Sequence, residues 1–168
     1  NMGTFKAPVA LTDTACYYQS ACLLSKMSRI LGMEDPYLEK SREIKKALVE
    51  RFVDDVTGRV AGNCQTSDGC AAFHHLLGPL EEARLMEGLV KRIRDNGWHI
   101  DYGILGSKYV LRMLGEYGYT EVIYKMLTRK DYPGYQYWMD HGCTTLAECW
   151  NLGGSHNHYM FSDVSAVF

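Results

Sequence analysis

The 168-residue chain is short of several things, and each shortage closes off a class of function. It has no surplus of positive charge: 18 Lys+Arg stand against 20 Asp+Glu, a formal net charge of −2. A dedicated nucleic-acid binder would be basic, so nucleic acid is not an expected partner. No run approaches the roughly 18 apolar residues of a membrane span, and no membrane partner is expected. No basic-then-apolar stretch resembles a secretory leader. Gly-rich phosphate loops, a G-x-S-x-G nucleophile elbow and a redox C-x-x-C pair are all missing from the sequence. Collagenous, disordered and disulfide-scaffold classes are excluded by composition, with 46% hydrophobic and 23% charged residues.

Six cysteines stand at 16, 22, 64, 70, 143 and 149. A chain of this length can bury a core without staples, so they are expected reduced and mostly buried. The opening Asn1-Met2-Gly3 places one residue before a methionine and reads as a cloning scar on an expressed fragment, or as a re-started reading frame.

What the chain does have is helical period, repeated in pairs. Residues 13–32 carry Leu23, Met27, Ile30 and Leu31 at helical spacing, with Ala15, Tyr18 and Cys22 on an adjoining strip. Thr12 or Asp13 can cap the start and Gly32 the end. So few charges suggest a helix buried nearly all round. Asp35-Pro36 then opens a second helix to about Val53. It places Leu38, Ile44, Leu48 and Phe52 inward and Glu39, Lys40, Glu43, Lys45 and Lys46 outward. The alternation recurs as 66–76 then 79–95, and again as 103–117 then 120–129. Each apolar helix is followed by an amphipathic one. That pattern predicts an all-α fold of paired inner and outer helices, as in a double-layered barrel or a solenoid.

Residues 130–162 break the period. They are dense in aromatics, Gly and His, and a long aperiodic segment in a compact domain is usually functional. Within it, Glu148 sits among small, apolar and aromatic residues with no basic neighbour, which suits a general acid or base and equally a surface or capping carboxylate. Ser155-His156-Asn157-His158 offers hydrogen bonds to a polyol. Joined to Cys143 and Cys149 it gives C-x5-C-x6-H-x-H, which does not match zinc spacings, so no metal site is expected. Tyr135 and Trp150 offer ring faces of the kind that pack on sugars. They could equally seal a loop onto the core. Asp101 reads most simply as the N-cap of the helix that follows it, with His99 pointing into the mouth of the fold. The adjacent pair His74-His75 cannot share one helix face and reads as core rather than as ligands.

These residues together resemble a known family. Gly142-Cys143-Thr144-Thr145-Leu146-Ala147-Glu148 resembles the Gly-Ala-Thr-Thr-Leu-Trp-Glu motif of bacterial α-L-rhamnosidases, glycoside hydrolase family seventy-eight. Ser155-His156-Asn157-His158-Tyr159-Met160-Phe161 resembles that family's Ser-His-Asn-His-Pro-Met-Phe segment. Trp98 to Tyr109 resembles its Gly-His-Leu-Thr-Thr-Gly-Ile-Leu-Gly-Thr-Lys-Tyr segment. The resemblance implies a single domain, 1–168, forming the C-terminal half of an (α/α)6 barrel. It implies an inverting hydrolase of terminal α-L-rhamnose with Glu148 as general base, His158 on the sugar, and His99, Asn157, Tyr135 and Trp150 lining the site. No cofactor is implied. The general acid would lie upstream of the matched motifs, leaving the fragment itself inactive. A carbohydrate is the expected partner, with a homodimer through the exposed barrel flank. The parent's compartment, cytoplasm or periplasm, stays open. Ala147 and Cys149 depart from the motif beside the base, which bears on which sugar is accepted. A non-catalytic helical sugar-binding or interaction module, and a barrel hydrolase of another sugar, are the competing readings.

Overall fold

The computed structural model describes residues 7–167, so Asn1-Met2-Gly3 and Phe168 lie outside the described residues. Among the described residues seven α-helices follow one another: α1 Val9–Ile30, α2 Tyr37–Phe52, α3 Gln65–Phe73, α4 Pro79–Asp95, α5 Ile104–Glu116, α6 Thr120–Leu127 and α7 Tyr135–Asp140, then a 3₁₀ helix, Tyr159–Ala166. No strand is formed among the described residues; one isolated bridge joins Val53 to Val60. The fold is all-α and built of inner and outer helices in pairs. Helix α2 lies on α1, α4 on α3 and α6 on α5, while α3 packs along α5.

Local chemistry accounts for these boundaries. Asp35 Oδ1 accepts the N–H groups of Tyr37 and Leu38 at 3.2 and 3.1 Å, filling two of the orphan donors at the start of α2. Its Oδ2 takes the Ser25 hydroxyl at 2.7 Å, tying that cap to α1. Gly32 ends α1 with φ +64°, a left-handed turn that suits glycine. Pro79 occupies the first turn of α4, where its missing N–H costs nothing. Between α3 and α5 the backbones come close. A β-carbon on Gly69 would stand 2.9 Å from Val110 Cγ2, and one on Gly106 would stand 2.5 Å from Thr66 Oγ1. Only glycine at these positions permits that approach.

Two apolar clusters make the core. The larger holds Met86, Leu89 and Ile93 of α4, Val110, Leu111 and Leu114 of α5, Ile123 and Met126 of α6, and Trp138, Trp150 and Phe161 from the aperiodic segment. The smaller joins Leu11 and Ala15 of α1 to Ile44 and Leu48 of α2 and to Cys70 and Tyr109.

Helix α1 corrects the sequence reading twice. It begins at Val9, earlier than a cap at Thr12 or Asp13 would allow, and the Thr12 hydroxyl bonds back to Val9 O at 3.0 Å. It also buries the wrong-looking face: Leu11, Thr12, Ala15, Ala21, Ser25 and Ser28 point inward. The large apolar residues Leu23, Leu24, Met27, Ile30 and Leu31 are exposed, Ile30 by 73%. The cause is neighbourhood. The helix packs mainly on α2, with lesser contacts to α3 and to Tyr109 of α5, and small residues let those neighbours approach closely. Leu38 is exposed in the same region. The cysteines also differ from expectation: all six are free, but only Cys64 and Cys70 are buried.

Candidate functional site

Antiparallel hairpins put all outer-to-inner connections at one end: 53–64, 96–103 and the long segment from 128 onward. The inner helices α3 and α5 present their N-termini there. Hydrogen bonds between the connections build a continuous rim. Gln65 Nε2 donates to His99 O at 2.8 Å, and Gln65 Oε1 accepts the Asp101 N–H at 3.2 Å. Asp101 Oδ1 in turn accepts the Gln65 N–H at 3.2 Å. Asp101 therefore caps α3, its neighbour in space, while α5 begins after Gly103. The sequence places Asp101 next to α5, but the rim turns its carboxylate the other way.

The aperiodic segment is anchored to this rim by its indoles. Trp138 and Trp150 stack with ring centroids 4.4 Å apart. Trp150 Nε1 donates to Tyr102 O at 2.7 Å, and Trp138 Nε1 donates to Trp150 O at 3.0 Å. Both rings are buried, each removing roughly 150–250 Å² from water. Tyr135 packs edge-on against both, and its hydroxyl lies 3.2 Å from Ser107 Oγ and donates to Phe161 O. Burial pushes the Tyr135 phenol up to about 12. The faces of Trp150 and Tyr135 are thus occupied by the protein itself. His99 is occupied too: Nδ1 lies 2.8 Å from Asn96 O and Nε2 lies 2.8 Å from Asp131 Oδ2. Arg129 grips Asp131 through Nε and Nη2 and reaches Gly97 O at 2.6 Å. Those bonds, Arg129's foremost, hold the Asp131 carboxyl well below the usual range.

On this platform the two polar motifs are brought side by side. Glu148 N–H donates to Ser155 O at 2.8 Å, and His158 N–H donates to Leu146 O at 2.8 Å, so 146–148 and 155–158 pair across a tight turn. Asn151 Oδ1 accepts the Gly153 N–H, and His156 Nε2 lies 2.8 Å from Leu152 O, so His156 helps close the turn. Glu148, half-buried, has Oε2 fixed by the Ser155 N–H at 3.0 Å. One carboxylate oxygen is therefore held by the backbone. His158 is half-buried, its ring parallel to that of Tyr159, and makes no side-chain hydrogen bond among the described residues. Asn157 is exposed, its N–H resting on Ser155 Oγ at 3.2 Å. Ala147, beside Glu148, is fully buried. Of the residues singled out, Glu148, His158 and Asn157 share this turn, whereas His99, Tyr135 and Trp150 hold up the rim beneath it. No group of three or more His, Cys, Asp or Glu stands together to hold a metal ion among the described residues.

Sequence reasoning overlooked two parts of this end. Asp68, on α3, is buried and pairs with Arg92 at 3.1 Å; burial outweighs that partner and lifts its carboxyl to about 6. Arg92 also clasps Asn63 O and Oδ1. The isolated carboxylate in a first turn of small residues was the available signal. The second is the Arg129–Asp131–His99 clasp, which no local spacing announces.

Comparison with known proteins follows the same outline. The model for the bacterial alpha-L-rhamnosidase six-hairpin glycosidase domain matches residues 2–168. An alpha-L-rhamnosidase of Streptomyces avermitilis is 29% identical over 171 aligned positions, covering 95% of this chain and 16% of the relative. One from Alteromonas sp. is 27% identical, covering 95% of this chain and 19% of the relative. The S. avermitilis enzyme solved with L-rhamnose superposes with a TM-score of 0.80 at 29% identity, over 90% of this chain and 16% of that one. The alpha-L-rhamnosidase of Dictyoglumus thermophilum gives 0.80 at 31% identity, over 90% and 18%. The chain thus spans less than a fifth of the length of these relatives.

Proposed function

The chain belongs to the bacterial alpha-L-rhamnosidase six-hairpin glycosidase domain family, and from that premise we propose that it is the C-terminal portion of an (α/α)6 catalytic domain that releases terminal α-L-rhamnose from glycans or glycosides with inversion. Glu148 is the general base. Its Oε2 rests on the Ser155 N–H, which leaves Oε1 to orient and deprotonate the attacking water. His158 and Asn157, on the segment paired with that of Glu148, hydrogen-bond the sugar. His99, Tyr135 and Trp150 serve the substrate from behind, by fixing the wall on which that turn sits.

The observation that carries the reading is the pairing of 146–148 with 155–158. It puts a backbone-oriented carboxylate and an imidazole with no side-chain hydrogen bond among the described residues on one turn, at the rim where inner-helix N-termini converge. Inversion requires a second carboxyl about 6.5–9.5 Å from the base, with water between. That acid comes from hairpins outside these 168 residues, so the chain alone turns over little or nothing. The exposed apolar stripe of α1 is where those hairpins pack, and in the isolated chain a second copy covers it.

The test is Glu148→Gln in a protein carrying the complete barrel. Hydrolysis of an aryl α-L-rhamnoside should fall by about 10²–10⁴ with little change in KM. Added azide should restore turnover by attacking in place of water. Unchanged hydrolysis removes Glu148 from the mechanism. Activity on other aryl glycosides but not rhamnosides would redirect the substrate.

A further inference from the structure

Beside the rim, outside the Glu148 turn, an open groove of about 560 Å³ is lined by Trp98, Lys125, Thr128, Arg129, Lys130 and Asp131. Trp98 is its floor. Its backbone has φ +66°, a left-handed conformation that favours glycine over a bulky L-residue. Such strain in a tryptophan asks for a compensating use. The indole is half-buried, unlike those of Trp138 and Trp150, which are sealed in the core. Two cations lie over it: Lys125 Nζ is 4.6 Å from the ring centroid and the Arg94 guanidinium 5.8 Å.

The charge of the lining is lopsided. Asp131, the one acid in it, is taken up by Arg129 and His99. Lys125 reaches an exposed partner, Glu121, at 2.6 Å. Lys130 is exposed and makes no ion pair within 4 Å among the described residues. The groove therefore joins an aromatic surface to two lysine ammonium groups, Lys130 without an ion pair among the described residues and Lys125 shared between Trp98 and the exposed Glu121. A pyranose presents C–H groups to an indole, and one anionic substituent on it would meet those lysines.

We propose that the Trp98 groove, at the same end of the fold as the Glu148 turn, binds an acidic saccharide unit, a pyranose bearing one carboxylate or sulfate. The anion sits on Lys130 and Lys125, the ring on Trp98, and Thr128, whose hydroxyl donates to Tyr124 O at 2.8 Å, accepts a sugar O–H. The clasp that holds His99 also fixes this groove: Asp131 lines it, and Arg129 bonds both Asp131 and Gly97, the residue before Trp98. The choice of a saccharide rests on the glycosidase reading above. Binding is measured without turnover, so its failure and the failure of Glu148 as base are separate results.

Trp98 is the one indole of three that is not sealed in the core, so tryptophan fluorescence reports on it directly. The 168-residue chain is titrated with trigalacturonate, with galactose 6-sulfate, with neutral galactotriose and with a short oligothymidylate. The expected result is a fluorescence change with one or both acidic sugars, at least about tenfold tighter than with the neutral sugar and weakened by salt. The tighter acidic sugar identifies the anion. Trp98→Gly, which relieves the backbone, should abolish binding. Lys130→Gln, a surface change that leaves the fold alone, should erase the preference for the charged sugar. Equal response to neutral and acidic sugars, tighter binding of the oligonucleotide, or binding untouched in Trp98→Gly and Lys130→Gln would each overturn the proposal.

Discussion

Glu148 Oε2 lies 2.6 Å from the point where a β-carbon on residue 154 would stand, and Gly154 leaves that space to it. Gly154 also has φ +77°, so the turn needs glycine twice over, for its backbone and for the carboxylate. Gly154→Ala should keep the helical fold, because the turn is exposed and its loss touches no core ring. The carboxylate would have to swing away from the Ser155 N–H. A displacement of about 1 Å at a reacting group can cost on the order of 10²-fold. In a complete barrel, kcat on an aryl rhamnoside should drop by about that factor while circular dichroism stays unchanged. Full activity in this variant would mean that the Glu148 orientation seen here is not the working one.

Tyr102 and Tyr135 are neighbouring phenols with opposite fortunes. The Tyr135 hydroxyl has two partners, whereas the Tyr102 hydroxyl is buried without one. A buried hydroxyl left unpaired costs about 1–3 kcal/mol, and a made bond contributes roughly 1 kcal/mol. Tyr102→Phe should therefore leave stability unchanged or raise it by about 1 kcal/mol. Tyr135→Phe should lower it by a similar amount. Urea unfolding of the two variants checks the pair; equal losses would show that Tyr102 has a partner in solution, such as a bound water.

Much of the architecture was legible because helical burial follows periodicity. Helix α4 spans the residues its apolar period predicted, Pro79–Asp95, and Met86, Leu89, Val90 and Ile93 are its buried side. Where a helix lacks neighbours the same logic inverts. Helix α1 carries its largest apolar residues on the face left exposed among the described residues, because Ser25, Ser28 and Ala21 give closer approach to the neighbours on its other side. Asp101 shows the other limit. Its cap function was readable from type, but the helix it caps lies 36 residues away in sequence. Trp150 and Tyr135 looked like sugar platforms by composition. Their placement depends on Trp138, one turn along α7 from Tyr135, and on Phe161 folding back onto Trp150 from the 3₁₀ helix, across loops that have no period to read.

His74 and Asp68 set opposing responses to acid. Burial, with Lys108 nearby, pulls the His74 imidazole down to about 4 from 6.5. The unfolded chain then takes up a proton first, so this contribution is intact above pH 6.5 and is lost as pH falls toward 4, by at most about 3 kcal/mol. Asp68 has the reverse sign. Its carboxyl, raised to about 6 by burial, binds a proton in the folded state before the unfolded one does, which favours folding as pH falls from 6 to 3.8. The two partly cancel between pH 6 and 4. Asp68→Asn removes the offset and should steepen the fall of Tm between pH 7 and 4.5. His74→Leu should flatten it. Parallel melting curves for wild type and both variants would refute the assignment.

The stripe on α1 makes the last prediction. Leu23, Met27, Ile30 and Leu31 follow helical spacing along one exposed side, and Met33 and Leu38 extend it. Single exposed apolar residues are ordinary, but a contiguous patch of several hundred Å² on a monomer marks an interface. A homodimer seam of standard size covers about 800 Å² per partner, within reach of this face and its rim. The stripe is flanked by Lys26 and Arg29 on the same helix and by Glu34 and Asp35 just beyond it, so an antiparallel copy would set opposite charges against each other. Light scattering on the isolated chain should give a concentration-dependent mass approaching twice 19.1 kDa. Met27→Glu combined with Ile30→Lys should return it to monomer without loss of helicity, since both side chains are solvent-facing in the single chain. A strictly monomeric wild type at high concentration would show that α1 tolerates water, and the stripe would then be explained only by packing within a longer chain.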